Sequence, residues 1–458
     1  MKLSEINPRA ADHICGSDGR GRKTTVKSFN RRSVVTLAAA ALLLAGCGGG
    51  GQESNNAGSG GGASSGGKVT VEWWTIHNID PMLGVWNGLV KDYQAKNPNV
   101  TIKVNAMNVE NFKSKLTTVT QSGKAPHLFH TWGGGVLAQQ VEAGLVKDIT
   151  SDISSWSDTL SPVALSAYQI DGKTYGVPHD LGMVGFWYNK KLFAKAGIDA
   201  PPATWTEFLD AVKKLKAAGI APIALAGKAK WPGHYYWAYL AMRVAGLDAL
   251  KQAAETKSFE NPDFVTAGQK LKELTALEPF QPGFLGADYD KPDGQAATIG
   301  NGKAAMELMG QWAPSVQRDT SKDLGEDLGF FPFPAVEGGK GSATEAFGGG
   351  GGVAVGADAP PEAIDFLKFI SEPDNHRKGV KTGAIFPAVK GTEDAVTDRH
   401  AKLVTESLNK ATGYQLYLDQ AYPPAVGQQV NDSVAELIAG SKTPEQVVAD
   451  ITTAAKSE

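Results

Sequence analysis

The fold class is indicated first by residues 69–104, which read VTVEWWTIHNIDPMLGVWNGLVKDYQAKNPNVTIKV. Residues 69–76 alternate apolar and polar side chains and then become aromatic, which predicts a strand. Residues 85–96 carry apolar side chains at helical spacing and end before an Asn-Pro pair, which predicts a helix. Alternation returns at residues 100–104. A strand, a helix and a second strand at this interval are typical of parallel strands connected by helices.

The same alternation continues along the chain. Asp171, followed by glycine between two strand-like flanks, predicts a hairpin. A helix is predicted at residues 207–218, with Thr204 as its N-cap. Farther on, a strand is predicted at residues 304–309 and a helix from Pro314 onward. These patterns predict an α/β fold with a largely parallel sheet.

An export signal is predicted near the start. Basic residues are frequent in residues 27–32, and a 13-residue apolar run follows at residues 34–46. That run is too short to cross a bilayer, which needs about 20 residues. It ends at residues 44–47, LAGC, which resemble the bacterial lipobox; the resemblance implies cleavage before Cys47 and acylation of this residue. A plain secretory signal is the alternative, and the paired arginines of the basic segment leave both Sec and twin-arginine export open.

Residues 1–46 are therefore predicted to be a lipoprotein signal peptide and residues 47–67 a flexible tether. Residues 48–67 contain ten glycines and almost no charge, so they cannot bury enough surface to fold. From Cys47 onward the formal net charge is about −8, which argues against nucleic acid as a partner. The two cysteines are Cys15 and Cys47, so the predicted exported form has no disulfide and no cysteine nucleophile.

Several tryptophans are predicted to stand in loops beside glycine or proline, above all Trp132, Trp231 and Trp312. An indole face matches the apolar face of a pyranose, whereas burial in a core is the alternative for each ring. Polar side chains near these tryptophans could bind the hydroxyl groups of a sugar. They are His77, Asn78, His179, Asp180, His234 and Gln311. This mixture suits a polyol better than a peptide or an ion.

Motifs for catalysis or for a metal are weak. His127 and His130 lie three residues apart on a predicted strand that points them to opposite faces, so no metal site is predicted. Asp288, Asp290 and Asp293 are spaced like part of a calcium loop that lacks its glutamate. The glycine runs lack the Lys-Ser/Thr ending of a phosphate loop, and no Gly-x-Ser-x-Gly elbow occurs. No cofactor is predicted.

The ordered set of segments resembles the extracellular solute-binding proteins, family 1, of bacterial ABC sugar importers. The resemblance covers nearly all of residues 68–458. The matching segments are residues 125–129 with 132–135, 142–146, 171–178, 188–193, 202–207, 302–306 with 310–312, and 331–334. Residues 415–424, which include Asp419, look like the oligosaccharide-binding members of actinobacteria.

The resemblance implies a two-lobed, periplasmic-binding-protein-like fold of type II. In this fold the ligand lies in a cleft between two α/β lobes joined by crossover segments. The N-terminal lobe would comprise residues 68–178 plus about 350–388. The C-terminal lobe would comprise about 179–349 plus about 389–458.

The resemblance also implies which residues bind sugar. Trp312 matches the position that stacks on sugar, and Trp132 matches a loop that faces the cleft. The predicted crossovers add four residues, which are His179, Asp180, Phe347 and Gly349. His77 and Asn78 stand where family members often have an acidic residue, so the role of that loop stays open.

The function implied is capture of a carbohydrate, expected to be an oligosaccharide, and its delivery to the permease of an ABC importer. The resemblance implies a monomer on the extracellular side of the cell membrane, attached only through lipid, that leaves its ligand chemically unchanged. A lipid-anchored binder of another solute, such as a peptide or metal ion, is an alternative. A secreted glycosidase is a further alternative, and the identity of the sugar stays open.

Overall fold

The computed structural model describes residues 67–458. The predicted signal peptide, Cys47 and all but the last residue of the predicted tether lie outside these residues. Within the described part, none of the helices combines the length and the apolar character needed to cross a membrane.

Strands and helices alternate through most of the chain. The strands are β1 (Val69–Thr75), β2 (Val100–Ala106), β3 (Leu128–Thr131), β4 (Gln169–Ile170), β5 (Lys173–Thr174), β6 (Gly176–Pro178), β7 (Gly182–Met183), β8 (Gly185–Asn189), β9 (Ala221–Ile223), β10 (Ala304–Met309), β11 (Leu328–Phe331), β12 (Glu345–Gly349), β13 (Gly352–Val355) and β14 (Gly413–Leu416). The helices are α1 (Met82–Lys96), α2 (Val109–Ser122), α3 (Gly134–Glu142), α4 (Thr150–Ile153), α5 (Pro162–Ser166), α6 (Lys190–Lys195), α7 (Trp205–Ala217), α8 (Trp231–Ala245), α9 (Leu247–Thr256), α10 (Pro262–Thr275), α11 (Gln295–Gly300), α12 (Ala313–Thr320), α13 (Pro361–Ile370), α14 (Pro373–Val380), α15 (Arg399–Leu408), α16 (Leu418–Ala421), α17 (Pro424–Ile438) and α18 (Pro444–Ser457).

The first sheet has the strand order β2-β1-β3-β13-β6. β1 runs parallel to β2 and to β3, as the sequence predicts, whereas β13 runs antiparallel to both β3 and β6. Trp73 of β1 is buried, and its ring packs edge-on against Trp86 at 5.4 Å and Phe366 at 5.5 Å between ring centroids. Helices α1 and α13 are thereby fixed to one face of the sheet.

The second sheet has the order β11-β8-β10-β9. All six residues of β10 are buried, and α8 is buried along nearly its whole length. Such a helix needs internal partners for its polar groups. Arg243 of α8 is fully buried, and its guanidinium group donates to four backbone carbonyl oxygens. The four acceptors are the carbonyls of Phe333, Pro334, Ala343 and Glu345.

A small linking sheet, β14-β12-β7, stands between the two large sheets. The chain leaves the first sheet at Pro178, pairs in the linking sheet through β7, and enters the second sheet at Gly185. It returns through β12, which pairs antiparallel with β7, and continues into β13 of the first sheet. The protein is therefore a two-lobed α/β fold whose lobes are joined by crossover segments, as predicted.

Local signals in the sequence have the predicted effect. Gln169 pairs with Thr174 and Ile170 with Lys173, which confirms the hairpin. Thr204 caps α7: its hydroxyl accepts a hydrogen bond from the backbone N–H of Glu207, and the Glu207 carboxylate accepts one from the backbone N–H of Thr204. This capping box satisfies backbone donors that the first helical turn leaves free.

A buried carboxyl group lies inside the second sheet. Glu307 of β10 is fully buried, and its two oxygens accept hydrogen bonds from Gln295 at 2.8 Å and Gln317 at 2.6 Å. Burial raises the pKa of Glu307 to about 7, although both hydrogen bonds act to lower it. The group therefore holds α11 and α12 against β10 and favours its neutral form in the folded state.

The first prediction concerns this group. Between its ordinary pKa of 4.5 and about 7, the folded state binds more protons at Glu307 than the unfolded state. The contribution of Glu307 to the unfolding free energy should therefore fall by an amount on the order of 3 kcal/mol as pH rises through this window. Above the window this contribution should level off. Glu307→Gln should remove the contribution of Glu307 to the decrease, because glutamine does not titrate, whereas Asp180, whose pKa burial also raises to about 7, keeps its own contribution.

Chemical denaturation at several pH values between 5 and 8 measures the effect. Glu326→Gln, at a carboxylate that is 95% exposed, is the control for loss of a surface charge. Equal pH dependence in the parent protein and in Glu307→Gln would contradict the assignment.

Candidate ligand-binding cleft

A cleft opens where strand ends of the two large sheets face each other. The first sheet contributes residues that follow or end β1, β3 and β6, which are His77, Asn78, His130, Trp132, His179 and Asp180. The second sheet contributes Gln311 and Trp312 just after β10. Trp231 and Tyr235 come from α8, and Gly349, Tyr417 and Asp419 come from the end of β12 and the segment after β14. Clefts in α/β folds commonly lie at such strand ends.

Aromatic rings form one wall of the cleft. Trp312 and Tyr417 have ring centroids 6.3 Å apart, and Tyr417 stacks on Tyr235 at 5.6 Å with an interplanar angle of 23°. Trp231 packs edge-on against Tyr289 at 5.3 Å. These rings are held by one another and keep fixed faces toward the cleft.

The position of Trp312 depends on a neighbouring glycine. A Cβ atom at Gly310 would overlap the six-membered ring of Trp312, so this side chain can fold back over residue 310 only because that residue has no side chain. Trp312 is also the N-cap residue of α12. The sequence Gly-x-Trp thus sets the ring at the end of β10, half-buried and facing the cleft.

The opposite wall carries Trp132. Its ring packs edge-on against His130 with a centroid distance of 4.6 Å, and the ammonium group of Lys113 lies 5.6 Å from the indole centroid. Lys113 also lies 3.7 Å from a carboxylate oxygen of Asp419. The two walls therefore offer aromatic faces to the same space, with an ion pair between them.

Asp180 is a hydrogen-bonding centre at the crossover. One carboxyl oxygen accepts from the backbone N–H of Phe386 at 2.7 Å, and the other accepts from Gln311 Nε2 at 2.6 Å. Burial raises the pKa of Asp180 to about 7, against the opposing effect of these hydrogen bonds. Through Gln311, the group connects the first crossover to the end of β10.

Asp419 is a second buried carboxyl group in the cleft. Burial acts to raise its pKa, but the interactions with His234 and with the Lys113 ammonium group and the hydrogen bond from Asn431 at 3.2 Å outweigh burial, so that the pKa lies below its ordinary value. An ionised Asp419 accepts hydrogen bonds only. It can therefore accept a hydrogen bond from a hydroxyl group of a bound solute.

Three histidines lie together on the first-sheet side of the cleft. Ring centroids are 5.3 Å apart for His77 and His179, 5.7 Å for His130 and His179, and 5.9 Å for His77 and His130. Burial lowers the pKa of His77 to about 4 and that of the other two well below the ordinary value. All three rings are therefore neutral at pH 7.

Most of the residues predicted from the sequence are brought to this cleft. Ten of the twelve line it, namely His77, Asn78, Trp132, His179, Asp180, Trp231, Gln311, Trp312, Gly349 and Asp419. Their contact with a sugar stays a prediction. His234 and Phe347 require correction, because both are fully buried behind the wall. His234 packs edge-on against Tyr235 and Phe347 packs against Tyr417, so both support the wall from behind.

Several lining residues were missed by the sequence analysis. They are Lys113, His130 as part of the histidine group, Tyr235, Tyr289 and Tyr417. Lys113 lies on α2 and belongs to no motif in the sequence. Tyr235 follows Trp231 by four residues, a spacing that places two side chains on one helical face. That spacing could have identified Tyr235.

Comparison with known proteins gives consistent matches. A family model described as bacterial extracellular solute-binding protein matches residues 80–377. An uncharacterized ABC transporter extracellular-binding protein of Pyrococcus horikoshii is 29% identical over 279 residues, which are 57% of this chain and 59% of that relative. The chain thus spans less than two thirds of that relative's length.

Two solved structures are also similar. One, from a study of xylan utilization by the thermophilic bacterium Caldanaerobius polysaccharolyticus, is 29% identical, with a TM-score of 0.79 over 84% of this chain and 99% of that one. The other, a chitin oligosaccharide binding protein, is 28% identical, with a TM-score of 0.77 over 85% of this chain and 98% of that one.

The second prediction tests the role of Asp180. Asp180→Ala should lower the unfolding free energy by about 1–3 kcal/mol, because the backbone N–H of Phe386 and the Gln311 amide lose their acceptor. Asp180→Asn should cost less than about 1 kcal/mol. Its oxygen can accept from Phe386, and its amide can donate to Gln311 Oε1, which has no partner within residues 67–458. Urea denaturation at pH 7 measures both, and equal losses would contradict this network.

Proposed function

Because this chain belongs to the bacterial extracellular solute-binding proteins, we propose that it binds a neutral oligosaccharide in the cleft and delivers it to the permease of an ABC importer. It acts as a monomer. We propose the same lobe boundaries that the sequence predicts. One lobe comprises residues 68–178 plus about 350–388, and the other comprises about 179–349 plus about 389–458.

The observation that carries the proposal is the combination of aromatic and polar groups. Trp132 stands on one wall and Trp312 with Trp231 on the other. Flat apolar faces on two sides suit the C–H faces of sugar rings. Between them, Gln311 Oε1 and the Tyr417 hydroxyl are buried without a hydrogen-bond partner in the described residues. A ligand rich in hydroxyl groups would supply the missing partners.

Similar proteins favour the same class of ligand. A solute-binding protein with a TM-score of 0.77 to this chain is described as binding chitin oligosaccharide, and another was studied in xylan utilization. Chitin and xylan are both chains of pyranose rings. The cleft of this chain also offers several separate aromatic rings, which favours an oligosaccharide over a single sugar.

Ligand binding would close the cleft. Closure requires contacts from both walls at once, because a ligand shifts a conformational equilibrium only by its differential affinity for the two states. Trp132 follows the first sheet and Trp312 follows the second. A ligand held between them would make its full set of contacts only in the closed form, which the permease would recognise.

We infer binding without turnover. Asp180, at the crossover, is tied to a backbone N–H and to Gln311, and Asp419 faces Lys113 and Asn431. Each carboxyl group thus has partners that account for its position without a catalytic role. The solute would leave the cleft chemically unchanged.

The sequence motif before the described residues supports a lipid anchor. Cleavage before Cys47 and acylation of this cysteine would attach the protein to the outer face of the cell membrane, since two or more acyl chains give stable anchoring. Residues 48–67 would then act as a flexible tether, roughly 25 Å in root-mean-square reach. Export by either the Sec or the twin-arginine route is compatible with this proposal.

The third prediction tests the ligand class. A thermal-shift panel of xylo-, chito-, malto- and α-galacto-oligosaccharides should contain at least one that raises the melting temperature, because ligand at 100 times its Kd stabilises by about 2.7 kcal/mol. The oligosaccharide should be recovered intact. Shortened products would indicate a glycosidase, and a response to peptides alone would indicate a peptide binder.

The fourth prediction uses the sugar found in that panel. Trp312→Ala should weaken its binding by about 1–3 kcal/mol, because the stacking surface is lost. Trp312→Phe keeps a ring and should lose less. Isothermal titration calorimetry measures both, with thermal unfolding of the free proteins as the control for folding. Unchanged affinity in Trp312→Ala would show that Trp312 does not contribute to sugar binding.

The fifth prediction concerns the anchor. Cys47→Ser should move the protein from the detergent phase to the aqueous phase when cells are extracted with a phase-separating detergent, because the acyl chains are no longer attached. The parent protein is the control. If both proteins partition to the aqueous phase, the signal is a plain secretory one.

A further inference from the structure

We propose that His77, His130 and His179 form a binding site for a divalent transition metal ion such as Zn²⁺ on the first-sheet side of the cleft. The proposal concerns the metal alone and does not depend on the sugar proposed above. No metal site is predicted from the sequence, because these three histidines are far apart in the chain.

The three imidazoles converge in space. One ring nitrogen of each lies within 4.8 Å of the corresponding nitrogens of the other two. His77 follows β1, His130 lies in β3 and His179 follows β6, so all three belong to the same end of one sheet. Their arrangement therefore does not require closure of the cleft.

The distances are near those of a metal site. Zn–N bonds of about 2.0–2.1 Å at tetrahedral angles place ligand nitrogens roughly 3.3 Å apart. The nitrogens lie within 4.8 Å of one another, so they must approach by at most about 1.5 Å, which rotation of side chains can supply. All three histidines line the cleft, so a water molecule or a solute hydroxyl can reach the fourth position.

Two of the histidines have unsatisfied nitrogens. His130 is 2% exposed and His179 is 5% exposed. Within residues 67–458, neither ring nitrogen of either residue has a hydrogen-bond partner. Buried polar groups are nearly always paired, and an unpaired one costs about 1–3 kcal/mol. Two unpaired imidazoles side by side call for a shared partner, and a metal ion satisfies both at once.

The protonation state suits metal binding. Burial lowers the pKa of all three rings, so each is neutral at pH 7 and has a lone pair to offer. Metals bind the deprotonated form of their ligands. No proton has to be displaced from a charged imidazolium.

His77 must change its hydrogen bonds to join the site. Its Nδ1 accepts from Trp86 Nε1 at 3.0 Å and lies 3.2 Å from Thr75 Oγ1. This arrangement leaves the ring proton on Nε2. For Nε2 to bind a metal, the proton must move to Nδ1, which would then donate to Thr75 Oγ1. Such a partner orients a ligating histidine, while Trp86 loses its acceptor.

The experiment titrates the untagged full chain with Co²⁺ and Zn²⁺ in the absence of sugar. Co²⁺ should produce visible absorption bands at a ratio of one ion per chain, and Zn²⁺ should displace it and raise the melting temperature. His130→Asn and His179→Asn should each weaken Zn²⁺ binding at least tenfold. His77→Asn should weaken it by a smaller factor, because this ligand must first change its tautomer.

His127→Asn is the matched control, because His127 lies three residues from His130 and its Nδ1 accepts from the backbone N–H of Glu72. It should leave Zn²⁺ affinity unchanged. Circular dichroism and thermal unfolding of each variant without metal distinguish loss of a ligand from loss of the fold. If a variant fails to fold, the corresponding glutamine variant takes its place.

Two results would overturn the proposal. One is the absence of Co²⁺ bands and of any Zn²⁺-induced shift in the parent protein. The other is Zn²⁺ binding that keeps its affinity in both His130→Asn and His179→Asn, which would place the ion elsewhere. Neither result affects the sugar-binding proposal, because the oligosaccharide panel is measured without added metal.

Discussion

The pairing of β7 with β12 is the contact on which the rest of the structure depends. Gly348 lies opposite Met183, and Gly349 opposite Gly182. A Cβ atom at Gly348 would overlap the Gly182 carbonyl, so the two crossover strands approach this closely only because glycine occupies the position. Tyr414 braces the pair by donating to the Gly182 carbonyl at 2.6 Å. This contact fixes where the two lobes meet, and therefore which strand ends face each other.

Some of this architecture follows from short-range patterns. The strand and helix at residues 69–96, the hairpin beginning at Asp171 and the cap at Thr204 depend on local periodicity or on local hydrogen bonds, and each was predicted with bounds close to those observed. The linking sheet was not predicted. β7 has two residues, and β12 ends in two glycines. Neither strand carries the β-branched alternation by which a strand is recognised in a sequence. Their pairing depends on contacts between distant parts of the chain.

The same distinction applies to the cleft. Trp132 and Trp312 were recognisable because each stands beside glycine near a strand end, where a large ring has no local core to enter. Phe347 was misplaced because its burial depends on rings that arrive from elsewhere in the chain, including Tyr235 and Tyr239 of α8 at 5.4 and 5.3 Å. No pattern within β12 indicates these neighbours. The histidine group was missed for the same reason, because only the order and direction of the strands bring the carboxyl ends of β1, β3 and β6 to the same end of the sheet.

Unpaired polar groups in the cleft bear on selectivity as well as affinity. Gln311 Oε1 and the Tyr417 hydroxyl are buried and lack partners in the described part of the chain. A purely apolar ligand would stack on the rings but leave both groups without a hydrogen-bond partner, so that each keeps its cost of about 1–3 kcal/mol. A polyol would instead pair with them, so the same two atoms favour one ligand and reject the other. The aromatic rings can thus stack on many ligands that have an apolar face. The polar atoms between the rings restrict binding to those ligands that also offer hydrogen-bonding groups.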